Sequence, residues 1–234
     1  MFANEDADGI TPEELIAKYQ RLQGQLHPTT LEGIDSIDWS TLHHALGEAN
    51  DFPILLLATF SDDEQDRDFA IRLLFETIWH QGTVYEASAY AIPFLLKALE
   101  APEMLEKPRI AMLVACLADG NSYLDVHALS SKKGENMWRK ILAKKHKDLE
   151  TEIKQELEYV KATREAVGKG LHLLYPYLQD GNVSYDIAKA LAFYPERKAE
   201  TIPLLEKAYT SIVNEDAKEE IKSTLTKLRE ANTS

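Results

Sequence analysis

The sequence predicts an all-α fold, and three observations carry that expectation. Apolar residues recur at spacings of three and four through most of the chain, the period of a helix face. The runs are bounded by helix start and stop residues, and no stretch alternates as a half-buried strand would. With 234 residues, 44% of them hydrophobic, the chain has apolar material for a continuous core.

Thr11-Pro12-Glu13-Glu14 opens the first helix: Thr11 caps it, Pro12 suits the first turn, and Glu14 completes a capping box. Leu15, Tyr19, Leu22 and Leu26 form its apolar stripe, and His27-Pro28 ends it. Residues 29–38 read as a connector containing Gly33. Asp38 to Gly47 reads as a short helix with Trp39, Leu42 and Leu46 on one face. Asp51-Phe52-Pro53 starts another, proline being tolerated where its missing N–H would be unpaired anyway. Ser61-Asp62-Asp63-Glu64 caps the next, and the carboxylates of Asp62, Asp63, Glu64, Asp66 and Asp68 suit the positive end of its dipole.

Pro53, Leu55 and Leu56, followed by Asp66-Arg67, Ala70, Leu73 and Leu74, form a two-helix pattern that recurs at Ile92-Pro93-Phe94-Leu95-Leu96, forty residues after Pro53. It returns at Ile202-Pro203-Leu204-Leu205, with a weaker echo at Leu174-Tyr175-Pro176-Tyr177-Leu178. This resembles HEAT-type repeats, whose period it matches. The resemblance implies an α-α superhelix, a HEAT/armadillo-like solenoid of stacked antiparallel helix pairs forming one domain over residues 1–234. Stacking is needed because a single pair cannot cover its own apolar side. The clearest repeats fall in residues 50–118 and the terminal ones in residues 182–230.

Between them lies an irregular helical region, residues 131–180. Asp119-Gly120-Asn121-Ser122 reads as a turn, Tyr123 to Leu129 as a short helix and Ser130 to Gly134 as a break. Glu135 to Val167 holds no proline or glycine and carries Glu150/Lys154 and Lys161/Glu165 at the favourable four-residue spacing. It reads as one long helix or a hairpin bent near Lys147-Asp148. A further helix is expected over Gly168 to Gln179, then helices over Asp186 to Tyr194, Ile202 to Ile212 and Glu215 to Glu230, the last capped by Asn214.

Charge bounds the partners. Residues 1–106 carry 20 Asp/Glu against five Lys/Arg, a net −15, whereas residues 107–234 are nearly balanced at +2. An acidic half repels phosphate backbones and attracts basic surfaces, so a basic protein is the expected partner and nucleic acid is disfavoured. No apolar run approaches the roughly 20 residues of a membrane span, which makes a cytoplasmic location the default. Cys116, the single cysteine, lies in an apolar helical run and reads as a core residue.

The polar chemistry concentrates at Trp79-His80-Gln81-Gly82-Thr83-Val84-Tyr85-Glu86, an inter-helix turn in which Thr83 and Glu86 are placed to cap the following helix. Together with Trp39 and His43, this stretch resembles a group of bacterial HEAT-like proteins for which it implies no established reaction. Some small HEAT-like bacterial proteins act as immunity or interaction partners, a role that suits an acidic surface. The expected binding residues are Trp39, His43, Trp79, His80, Gln81, Tyr85 and Glu86, with Asp119, Asn121 and Tyr123 from the next turn. No cofactor or metal is expected, since His43 and His44 on a helix point about 100° apart. Ser40, Ser88 and Ser122 lack a nucleophile elbow. The basic stretch Lys132, Lys133, Arg139, Lys140, Lys144, Lys145 and Lys147 reads as a solvated helix face. The alternative is an enzyme on the same scaffold, DNA glycosylase-like or acting on a small molecule.

Overall fold

The computed structural model describes residues 11–22 and 31–231, and these residues are mostly helical. Helix α1 (Pro12–Leu22) starts as its sequence dictates: Glu14 N–H donates to Thr11 Oγ1 (3.2 Å), and Thr11 N–H donates back to Glu14 Oε2 (2.9 Å). Leu15 and Tyr19 are buried, while Leu26, His27 and Pro28 lie outside the described residues.

The expected helix over Asp38 to Gly47 is not formed. A single 3-10 turn (Trp39–Thr41) leads instead into a hairpin of β1 (His43–His44) and β2 (Gly47–Glu48). Gly47, at φ 135°, supplies backbone that an L residue rarely adopts, and Ala49 N–H closes the hairpin on Leu42 O (2.9 Å). A second hairpin, β3 (Trp79–His80) with β4 (Thr83–Val84), occupies the expected inter-helix turn. Both strand pairs are two residues long, too short to leave an alternating pattern.

Helices α2 (Phe52–Ala58) and α3 (Glu64–Thr77) follow the first hairpin, and Asp63 caps α3 by accepting from Gln65 N–H (2.9 Å). The second hairpin leads to α4 (Glu86–Glu100), and then come α5 (Lys107–Asp119) and α6 (Tyr123–Ala128). Residues 131–180 resolve into a bent pair, α7 (Lys132–Ala143) and α8 (Leu149–Lys169). Asp148 caps α8 through Thr151 N–H (3.0 Å), and His146 at φ 56° turns the chain just before it. The break expected over Ser130 to Gly134 is shorter, because Ser131 Oγ already caps α7 by accepting from Gly134 N–H (3.1 Å). The helix expected from Gly168 is a 3-10 run over Leu171–Gln179, with Pro176 inside it. Then follow α9 (Ser184–Leu191), α10 (Lys198–Ser211) and α11 (Glu215–Glu230), the last capped by Asn214 Oδ1 accepting from Ala217 N–H (3.1 Å).

The proline motifs do not occupy equivalent places. Pro53 sits in the first turn of α2, whereas Pro93 and Pro203 lie inside α4 and α10. Both internal prolines are exposed, so the carbonyl that each leaves without a helix bond lies toward water.

One apolar cluster extends from Leu15 to Leu228, and it includes Phe52, Leu74, Leu95, Leu113, Leu174 and Ile221. A separate small cluster joins α6, α7 and α8 through Leu124, Ala128, Leu142 and Leu149. Within the large cluster Asp66 has a tethering role beyond the helix dipole. Its buried carboxylate accepts from Tyr19 OH (2.6 Å) and Lys18 Nζ (2.5 Å), fixing α1 to α3. Burial pulls the Asp66 carboxyl up, but the hydrogen bonds from Lys18 and Tyr19 outweigh it and hold the group below the usual carboxylate range. Burial first, and then the bond to Asp66, pushes Tyr19 up to about 12.

Because the folded-state pKa of Asp66 is depressed, its contribution is present above the unfolded value and is lost as pH falls through the folded one. Melting temperatures of the protein and Asp66→Asn are therefore expected to differ by a constant amount above about pH 5 and to converge below about pH 4.

Candidate functional site

The two hairpins and the turn after α5 lie side by side. Ala45 N–H, in the tip of the first hairpin, donates to Thr77 O (3.0 Å) at the end of α3. The second hairpin turns at Gln81 (φ 50°) and Gly82 (φ 87°), the two consecutive positive φ values of a tight two-residue turn. Its β4 side meets the next turn through Asn121 N–H to Gly82 O (2.9 Å) and Val84 N–H to Asn121 O (3.0 Å). Gly120 is required there, since a Cβ would come within 2.2 Å of Val84 Cγ1. The second hairpin and the turn after α5 are thus bonded to each other, and the first hairpin is bonded to the end of the helix that leads into the second, which together form one rim.

Thr83 does not cap the helix that follows. Buried in β4, its hydroxyl donates to His80 O (2.7 Å), which leaves its oxygen to accept from Tyr85 OH (2.8 Å). Tyr85 is the N-cap residue of α4, and the reciprocal partner is Ser88 instead of Glu86. Ser88 Oγ accepts from Tyr85 N–H (2.9 Å) and donates to Ile78 O (2.6 Å), stapling α4 to the base of the hairpin. Tyr85 is half-buried, and desolvation raises its pKa, with Thr83 opposing and Tyr123 and Glu156 adding to the shift.

Glu86, freed from capping, lies 3.6 Å from His43 Nδ1, so the first hairpin and the start of α4 share a pair of polar groups. Its charge also raises Tyr159 of α8, secondary to burial. His80 Nδ1 lies 3.3 Å from Glu76. His43 and His44 point to opposite faces of the strand, one exposed and one buried. His44 Nδ1 accepts from Leu46 N–H (3.1 Å), which places the proton on Nε2 for donation to Asp51 (2.9 Å).

Several expected site residues are structural. Trp39 is 5% exposed, packed on Phe52 at 4.5 Å between ring centroids, with its indole N–H given to Ile34 O (2.9 Å). It therefore belongs to the core and not to the rim surface. Trp79 is half-buried edge-on against Phe75 (5.9 Å). Asp119 faces away toward Lys189 Nζ (2.7 Å). Tyr123 packs on His127 and edge-on against Trp138, 5.6 Å away. Asn121 joins the rim through its backbone. His43, Gln81 and Asn121 are exposed and His80 and Glu86 half-buried, so these are the expected residues whose side chains reach its surface.

Sequence reasoning missed Leu46, Glu48 and Glu76. Leu46 is 68% exposed at the tip of the first hairpin, with Glu48 exposed beside it. The signal for it was Gly47, read as a helix end when it marks a hairpin turn.

Two side chains considered as nucleophiles, Ser88 and Cys116, are buried. Ser88 is fully buried with both hydrogen-bonding roles filled. Desolvation, reinforced by Asp186, pushes the Cys116 thiol far above its ordinary value, leaving it a core residue. Among the described residues no group of three or more His, Cys, Asp and Glu side chains is placed to hold a metal ion, and no helix is long and apolar enough to cross a membrane. What the rim offers is fixed hydrogen-bonding groups, exposed carboxylates and one apolar tip. Comparison of the chain with protein families, curated proteins and solved structures finds no match.

Gly120→Ala is expected to destabilise the fold by about 2 kcal/mol, because Val84 cannot yield without shifting β4. Denaturant unfolding measures the loss. Amide NMR should place the largest shifts at residues 82–84 and 121.

Proposed function

We propose that the chain is a protein-binding module built on HEAT-like stacking of helix pairs, and that its acidic rim receives a basic protein in an immunity-type or scaffolding role. The observation that carries this reading is the lateral bonding of the two hairpins and the Asn121 turn, which holds His43, Leu46, Glu48, Glu76, Gln81 and Glu86 on preformed backbone. A preformed surface loses little conformational entropy on association. The apolar cluster that runs through successive helices from Leu15 to Leu228 supports the stacked architecture.

The rim's composition suits a basic partner. Glu48 and Glu76 are exposed, Glu86 is half-buried, and Leu46 gives one apolar anchor among them. Carboxylates at the edge of a contact steer encounter and choose the partner's sign, while the apolar contact slows dissociation. The net −15 of residues 1–106 acts in the same direction at longer range.

Affinity capture with the immobilised chain, from an extract of its source cell, tests this reading. A basic protein should be retained at about 50 mM salt and largely released at about 300 mM. The triple variant Glu48→Lys, Glu76→Lys, Glu86→Lys, with its helical circular dichroism intact, should reduce capture at least ~10-fold. Undiminished capture by that variant contradicts the rim as the interface. Retention of nucleic acid in place of protein contradicts the reading as a whole.

A further inference from the structure

Helix α7 carries the strongest positive charge in the chain and has the least structural use for it. Residues 132–147 hold seven Lys/Arg against one Glu in a protein of net charge −13. Only Leu142 of α7 is buried. Its inner face, with Trp138 and Leu142, packs into the small cluster with α6 and α8, and Gly134 passes so close to α6 that a Cβ would lie 3.0 Å from His127 O.

Two cations of this stretch have structural partners. Arg139 holds Glu135 and Glu150, and Lys147 holds Glu152 (2.7 Å). Lys132, Lys133, Lys140, Lys144 and Lys145 face no carboxylate among the described residues. Lys132, Lys133, Asn136, Met137 and Lys140 line one open depression, and Met137 is 51% exposed within it. Along the outer face Lys133, Met137, Lys140 and Lys144 follow one another at spacings of four, three and four, so lysines flank a soft apolar side chain in a helix-spaced row. Like charges so placed repel one another, and an acidic partner relieves that repulsion.

We propose that this outer face of α7 is a docking site for an acidic amphipathic helix of a partner protein, with carboxylates on the lysine row and an apolar residue on Met137. Charge complementarity selects the sign of the partner, and the four-three-four spacing matches that of a helix laid along α7. Nucleic acid fits less well, because the aromatic of this stretch, Trp138, is turned edge-on into Tyr123 and offers no face for a base. A membrane surface fits less well because Met137 alone gives little to insert. The site is separate from the acidic rim, and its partner has the opposite charge.

The test uses the full chain and two synthetic peptides of about fourteen residues, one with Glu and Leu in helical register and one of the same composition scrambled out of it. Calorimetry should show saturable binding of the first, at least ~10-fold tighter than the second, with amide shifts confined to α7 and its flanks. Lys133→Glu with Lys140→Glu should weaken it at least ~10-fold, and Met137→Ser should weaken it without changing its salt dependence. Equal binding of the two peptides, indifference to these exposed substitutions, or preferential saturable binding of duplex DNA or phosphatidylserine vesicles would overturn the proposal. So would self-association abolished by the same lysine changes. None of these outcomes depends on the rim, whose charge-reversal variant should bind the helical peptide as the native chain does.

Discussion

The bridge between Asn121 and the second hairpin is the contact on which the surrounding structure depends. Two backbone hydrogen bonds, to Gly82 and from Val84, place the turn after α5 against β4. The same short segment is gripped from behind. Arg164 of α8 donates to Ala118 O (2.9 Å) and Gly120 O (3.2 Å), Lys189 of α9 holds Asp119, and Glu156 of α8 accepts from Ser122 Oγ (2.7 Å) and Leu124 N–H (2.8 Å). Carbonyls at the end of α5, which would otherwise lack partners, are thereby satisfied by a cation suited to a helix C-terminus. Residues 118–124 thus join the second hairpin to α8 and α9, and the bare backbone of Gly120 is what lets Val84 approach.

Charged side chains divide into two uses. Asp66, Arg67 and Glu156 are drawn inward and matched by specific donors or acceptors, as burial of such groups requires. Glu48, Glu76 and the lysines of α7 stay outside, where their contribution to stability is small and their effect on encounter is large. The proposed functions rest on this second set, in two places of opposite sign on one chain.

Helices governed by local chemistry were legible in the sequence. The Thr11–Glu14 capping box and the Asn214 cap fall where their residue types put them, because a cap needs only its own neighbours. The hairpins were not legible: strands of two residues have no period, and Leu42 and Leu46 mimic a helical stripe although one is buried and the other sits at an exposed turn. The same limit misplaced Trp39, whose ring is buried against Phe52 and Phe94 by tertiary packing that no local pattern encodes. It also assigned the α4 cap to Thr83 and Glu86, whereas Ser88 takes the reciprocal bond and Thr83 turns inward. The polar density of residues 79–86 falls on the second hairpin and the start of α4, and part of it is the hairpin's own hydrogen bonding.

Hydrogen exchange on the complex with the captured basic protein gives the most direct measurement of the central claim. The rim account predicts that added protection concentrates in residues 43–48, 76–86 and 120–122, which the Ala45–Thr77 bond and the Asn121 bridge join. Protection confined to other helices, with these three segments exchanging as in the free chain, would contradict it.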